Sequence, residues 1–414
     1  MKKMKKYLIV FGSAFVLGLG LLITVLTSGA YVSSQPEFRT TPDSCSVYIR
    51  GEVITTGIYS LDEALVEIRV MDGDKLLRGY EHWEKGSGTF SFTENKLFSD
   101  WGGKPDKDTF DGLYGVFHDS LPNGWGALLI KRMMAKKGVN YDRLSPLTKL
   151  ALISNNGLGG LTYEPCISNS ECANQIDLDV LFDDVQKIFD NEQEEANLDK
   201  VFALGGSSGG ARPKAHVRLN GEEWIIKFPC RIDPENIGVK EYEANKTARK
   251  CGIDVNEYKL FSSTHCGGYF GAKRFDRKEN RRVHMISLSA LLETTHRVPN
   301  LDYMHLFQVI QQICENKSDL YEAYRRMVFN VFYKNRDDHG KNFSFLYDEE
   351  LGGYCLSPAY DLTCTPEKAE HEMTVLGNGL PQEKDMLELG RRMILQKKEC
   401  EKIIKTIKSG MEKQ

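Results

Sequence analysis

The chain has 414 residues, of which 41% are apolar and 27% charged, and a formal net charge of -4. That length predicts two or three domains and that composition a folded chain rather than a disordered one. The charge argues against a protein that grips nucleic acid by bulk phosphate neutralisation and leaves a local basic patch open.

Residues 1–46 read as an apolar segment and a linker. MKKMKK precedes a charge-free run from Tyr7 to Ala30, long enough to span a bilayer, and Ser28 with Ala30 also suits a small-residue cleavage site. A signal peptide and a membrane anchor through residues 7–30 both fit, and the lysines would send the downstream chain outward. The ten cysteines point the other way, because they form no CxxC pair and no metal-ligand spacing, as expected of thiols in a reducing compartment. The expectation is a cytoplasmic catalytic region, with an N-terminal anchor kept open.

Residues 47–165 form the next expected domain. Alternating runs such as VEIRV and FSFTEN, separated by MDGD and KGSG, predict a small antiparallel sheet. WGALLIKRMMAKKG predicts a helix that stops at Gly138.

Residues 166–283 form a third region. Leu178, Leu181, Val185 and Ile188 recur at helical spacing, with the surrounding acids on a solvated face. The loop ALGGSSGGARPK comes next, containing Gly206, Ser207, Ser208 and Gly209. Its glycines free backbone N–H groups to approach phosphate, although it lacks the GK[ST] ending of a Walker A motif, and a flexible linker is an equal reading in isolation. AHVRL and EWIIKF then flank Asn220-Gly221, a strong hairpin signal. Lys227 ends the second strand among apolar neighbours, which calls for an anionic partner or a snorkelling stem. On the helix KEYEANKTARKCG, Glu241, Asn245 and Ala248 share a face, making Glu241 the candidate partner of Lys227 and Glu243 its competitor.

Residues 284–414 are predominantly helical and carry NRDDHGKNFSFLYD (335–348). Asp337 and Asn342 are five apart, the separation of base and metal-binding amide in a protein-kinase catalytic loop; an Asx-turn or N-cap produces the same spacing. Asp361 in LSPAYDLT lies beyond a hairpin-like stretch that would hold it beside Asn342. The two are oxygen donors suited to Mg²⁺ on a nucleotide, while Asp361 also suits a simple turn. Asp338 is a second candidate base without the five-residue separation.

Together these blocks carry a resemblance. FHDSLPNGWG (117–126), ALISNNGLGGLTYEP (151–165), GGARPKAH (209–216), KRFDR (273–277), FNVFYKNRDDHGKNFSFLY (329–347) and LSPAYDLT (356–363) resemble the HipA-type serine/threonine kinases of bacterial toxin-antitoxin systems. The resemblance implies an α+β, two-lobed, protein-kinase-like fold with a sheet-rich first half and a helical C-terminal lobe. It implies Mg²⁺ and ATP as cofactors, Asp337 as catalytic aspartate, and Asn342 with Asp361 as metal ligands. His339 and Lys341 would lie near the transferring phosphate, Lys227 on the nucleotide phosphates, and Lys273 to Phe275 at the adenine-side hinge, where relatives often carry an acid in place of Lys273. Ser207 falls where such kinases autophosphorylate. The family also implies a HipB-like helix-turn-helix antitoxin partner, contact with DNA only through that partner, and a translation-related protein substrate such as an aminoacyl-tRNA synthetase. The apolar N-terminus is not part of the family pattern. A small-molecule kinase on a similar fold, or chiefly a binding partner or corepressor of a DNA-binding antitoxin, are the competing expectations.

Overall fold

The computed structural model describes residues 45–50, 63–72, 75–84, 87–92, 110, 113–144, 146–153, 156–164, 176–189, 197–205, 209–278, 281–348 and 350–412. Two compact units emerge: one holds the described residues up to Val217 together with Lys278–His284, the other Arg218–Arg277 and Met285 onward. The apolar run 7–30, and with it the anchor and signal-peptide expectations, lies outside the described residues. Among the described residues no helix is long and apolar enough to cross a membrane.

In the first unit, strands β1 (Cys45–Arg50), β2 (Glu63–Asp72), β3 (Lys75–Glu84) and β4 (Ser87–Phe92) form the antiparallel meander that the alternating runs predict. The sheet gains one strand that the alternation did not signal: β5 (Leu161–Glu164) pairs parallel to β1, giving the order β4-β3-β2-β1-β5. Parallel pairing needs a long connection, here everything between β1 and β5, so no local turn pattern announces it.

Helix α1 (Gly124–Lys136) ends before Gly138, which takes φ +72° as a chain stop requires. Helices α2 (Pro146–Ile153), α3 (Leu178–Phe189) and α4 (Leu198–Gly205) come after it, and α3 buries Leu181, Val185 and Ile188 as its periodicity predicts, while Leu178 at its first position is half-buried. The start of α1 anchors the far end of the glycine-rich loop. Trp125 N donates to Gly210 O at 2.8 Å, and Asn123 Oδ1 accepts from Gly210 N at 2.6 Å. Trp125 stacks on Phe189 at 5.3 Å between centroids and donates its indole N–H to Lys214 O at 3.1 Å. Gly124 has φ +50°, and a Cβ there would stand 2.2 Å from Gly210 O. Because the obstacle is backbone, Gly124→Ala should cost about 2 kcal/mol or more, read as a lowered denaturant midpoint at unchanged slope.

The second unit begins in the last residues of β6 (Lys214–Leu219), which the Asn220-Gly221 turn joins to β7 (Glu222–Lys227). Both turn residues have positive φ, 53° and 82°, the conformation a two-residue hairpin of this kind demands. β7 pairs with β9 (Tyr269–Lys273), and β9 with β8 (Tyr258–Phe261), all antiparallel. Helix α5 (Ile237–Lys250) packs on β8 and β9.

Farther along, β10 (Met285–Ser287), β12 (Ser344–Asp348) and β13 (Gly353–Leu356) form a three-stranded sheet, and β11 (Leu301–Asp302) pairs parallel with β14 (Met373–Thr374). Helices α6 (Tyr303–Ile313), α7 (Ser318–Tyr333), α8 (Glu383–Arg392) and α9 (Lys397–Met411) complete the unit. α7 is central: Ala323, Tyr324, Met327, Val328 and Phe329 are all fully buried against its neighbours, α9 among them.

Candidate active site

Alternation along β7 puts Trp224 and Ile226 in the core and turns Lys227 to the other face. There the Lys227 ammonium donates to both Glu241 Oε1 and Asp361 Oδ1. Periodicity had left Glu241 and Glu243 open as partners. The fold decides between them, because Glu241 is buried, at 5% exposure, on the face of α5 that meets Lys227, while Glu243 faces outward and pairs with Lys246 at 3.0 Å. Burial pulls the Lys227 pKa down, but the carboxylates of Asp361 and Glu241 more than offset this and hold it above its usual value. The ammonium is therefore a fixed charge.

Asp361 sits at φ +54°, a left-handed conformation that aspartate tolerates at modest cost. Its segment is pinned from several sides. Ala359 N donates to Asp254 O at 2.8 Å, Arg326 donates to Ser357 O at 2.6 Å, and Ser357 N donates to Ser344 O at 2.9 Å. Tyr360 OH donates to Lys341 O at 2.6 Å, so the residue before Asp361 is bonded to the residue before Asn342. That cross-link joins the two candidate metal-binding segments.

The loop after α7 begins with Lys334 at φ +58°, ending the helix. Asp337 and Asp338 then take opposite roles. Asp338 is wholly buried, whereas the Asp337 side chain is 39% exposed. Asp338 Oδ2 accepts from Tyr303 OH at 2.7 Å and lies 2.8 Å from His371 Nδ1, while its Oδ1 accepts from Glu372 N at 3.0 Å. Tyr303 OH in turn accepts from Asn330 Nδ2 at 2.9 Å, and Asn330 Oδ1 from Asn335 Nδ2 at 3.0 Å. Burial and then the Asp338 charge raise the Tyr303 pKa far above normal, so the phenol stays a donor. Asp338 is thus a structural hub, and Asp337 is the acid left facing outward.

Asn342 Nδ2 donates to Asp337 O at 2.7 Å, which turns its amide oxygen away from the loop backbone. His339 caps the short turn Gly340–Asn342 by accepting from Lys341 N at 3.2 Å, and its ring lies 5.4 Å from that of His296. A Cβ on Gly340 would come within 2.6 Å of both Leu301 Cδ1 and Ser289 Oγ, so a larger residue there would require those two side chains to shift.

Lys273, at the expected hinge, uses its backbone within the sheet: its N–H donates to Glu257 O at 2.8 Å and its carbonyl accepts from Asn256 Nδ2 at 2.6 Å. Its ammonium donates to Glu222 Oε1. Phe275 stands 5.6 Å from the Tyr360 ring. Of the glycine-rich loop, Gly209 lies against Asn123 in the first unit, and Gly206, Ser207 and Ser208 lie outside the described residues.

Sequence reasoning missed Tyr303, Asn330, Tyr360, His371 and Lys368. Lys368 lies in TPEKAEHE, a charged stretch with no periodicity, yet its ammonium is 2.5 Å from Asp337 Oδ1 and 2.7 Å from Glu372 Oε1.

Residues 206–414 match the HipA-like C-terminal domain family, about half of the chain. The chain belongs to that family. A protein of Sinorhizobium fredii (strain NBRC 101917 / NGR234), "Putative kinase Y4dM", is 30% identical over 174 residues, which is 38% of this chain and 41% of that relative. The match therefore spans less than half the length of the curated relative. Among solved structures, a chain of the Shewanella oneidensis MR-1 complex of HipA, HipB and operator DNA superposes with a TM-score of 0.58 at 18% identity, covering 81% of this chain and 86% of that one. This likeness shows the fold: the chain has the α+β, kinase-like architecture of HipA.

Proposed function

We propose that this HipA-family chain is a Mg²⁺- and ATP-dependent serine/threonine protein kinase. The observation that carries the reading is the Lys227 ammonium, which joins Glu241 of α5 to Asp361 within one unit. A lysine and glutamate paired in this way beside a metal-binding aspartate are what a kinase uses to hold nucleotide phosphates.

The residues present fit a divalent cation. Asn342 has its amide nitrogen committed to Asp337 O, which leaves a hard oxygen donor, and Asp361 supplies a carboxylate, the donor type that Mg²⁺ takes. When bound, Mg²⁺ would neutralise charge on the transferring phosphate. The chain's own groups do the rest. Lys227 binds the nucleotide phosphates, and Asp337 orients the incoming hydroxyl. As the hydroxyl oxygen forms its bond to the γ-phosphorus, Asp337 takes the proton, and the bond to the departing diphosphate breaks to leave ADP. His339 and Lys341 flank this step. Lys273 has its backbone N–H and C=O committed to Glu257 and Asn256 and its ammonium to Glu222, so of the two expected hinge residues Phe275 is the one this reading keeps for the adenine side.

Autophosphorylation at Ser207 belongs to the same proposal, as do a HipB-like antitoxin partner, indirect contact with DNA and a translation-related substrate. These rest on family membership. ATP use argues for a catalytic region in the cytoplasm. Intact mass after incubation with Mg²⁺-ATP, with and without candidate substrate proteins, tests the reading. Phosphate on a serine or threonine supports it; phosphate only on a small molecule, or none at all, overturns it.

A further inference from the structure

The segment after Asp361 returns to the catalytic loop and is clamped there. Thr365 N donates to Lys334 O at 2.9 Å, and Arg336 N donates to Thr365 Oγ1 at 2.8 Å. The Arg336 guanidinium donates to Pro366 O at 3.1 Å and also to Lys368 O. Glu372 N donates to Arg336 O at 3.3 Å. These bonds fix the backbone on both sides of Lys368, and Glu372 Oε1 holds its ammonium at 2.7 Å. The same ammonium donates to Asp337 Oδ1 at 2.5 Å. A lysine on a charged turn needs no such scaffold to be soluble, and an isolated surface pair of this kind contributes little to stability.

We propose that Lys368 is a positioning residue for phosphotransfer: it holds one carboxylate oxygen of Asp337, so that the other is presented to the attacking hydroxyl in a fixed orientation. The idea rests on the reading of Asp337 as the catalytic aspartate. Glu372 and Arg336 belong to the device, the first by balancing the ammonium and the second by fixing its backbone. Burial lowers the Lys368 pKa, but its bonds to Asp337 and Glu372 together raise it by more, so the contact persists as an ion pair through neutral pH. An ordered carboxylate accelerates a reaction by geometry rather than by binding, so its loss should appear in turnover and not in nucleotide affinity.

The test is ADP release by the full chain with Mg²⁺-ATP, measured for wild type, Lys368→Ala, Lys368→Arg, Asp337→Asn and the double variant Asp337→Asn with Lys368→Ala. Lys368→Ala should lower kcat by about tenfold or more with KM for ATP unchanged, and Lys368→Arg should restore most of it. Against the Asp337→Asn background the lysine change should cost nothing further, since both act through one carboxylate. A kcat for Lys368→Ala that is unchanged or raised overturns the proposal, as do losses that simply multiply in the double variant. If Asp337→Asn is inactive while Lys368→Ala keeps full turnover, the inference alone has failed. If Asp337→Asn turns over normally, the reading of Asp337 fails and the inference falls with it. Melting curves on each variant separate these outcomes from unfolding.

Discussion

Asp337→Asn should lower phosphotransfer by on the order of 10²-fold or more and leave ATP affinity nearly intact, because the amide keeps the shape of the side chain and loses the proton acceptor. Asp338→Asn should fail in a different way. Its two oxygens accept from Tyr303 OH, from Glu372 N and, with His371 as donor, from the imidazole. An amide nitrogen in place of either oxygen would point a donor at a donor in a buried site, at a cost of about 2–4 kcal/mol. Urea unfolding measured beside labelled phosphate transfer separates the two: Asp337→Asn loses rate and keeps its midpoint, while Asp338→Asn loses its midpoint. Equal loss of rate in two variants that remain equally stable would mean that the adjacent acids share one role.

Mg²⁺-ATP should bind at least about tenfold more weakly to Asp361→Asn and to Lys227→Met, measured by calorimetric titration. Asparagine is the informative change at 361 because it tolerates the positive φ of 54° and removes only the charge, whereas alanine would add backbone strain. Methionine at 227 keeps the apolar stem. It nevertheless removes the ammonium bonded to Glu241, which is 5% exposed, so this variant should also lose about 3 kcal/mol of stability, the usual consequence of breaking a buried pair. Titrating at a temperature where the variant remains folded isolates the binding effect. Unchanged affinity in both variants would reduce Lys227 and Asp361 to structural roles.

Local chemistry made much of this molecule legible. Asn220-Gly221 announces its hairpin because both residues tolerate positive φ, and Leu181, Val185 and Ile188 announce the buried face of α3 because 3.6 residues per turn align them. The blocks from FHDSLPNGWG to LSPAYDLT were likewise readable, and their resemblance pointed to the family to which the chain belongs.

What the sequence could not decide were choices between equivalent neighbours. Glu241 and Glu243 both suit a partner for Lys227, and Asp337 and Asp338 are adjacent and chemically identical. Only packing separates them, by burying Glu241 beside the lysine and Asp338 among Tyr303, His371 and the backbone N–H of Glu372. Lys368 was invisible for the same reason. Its contact with Asp337 spans 31 residues and depends on Arg336 and Glu372 returning the chain to the loop, which no local spacing encodes. Helix and strand periods are properties of a few consecutive residues and survive in the sequence. The environment that makes one of two like acids a buried acceptor and leaves the other half-exposed is a property of distant segments brought together, and exists only in the folded chain.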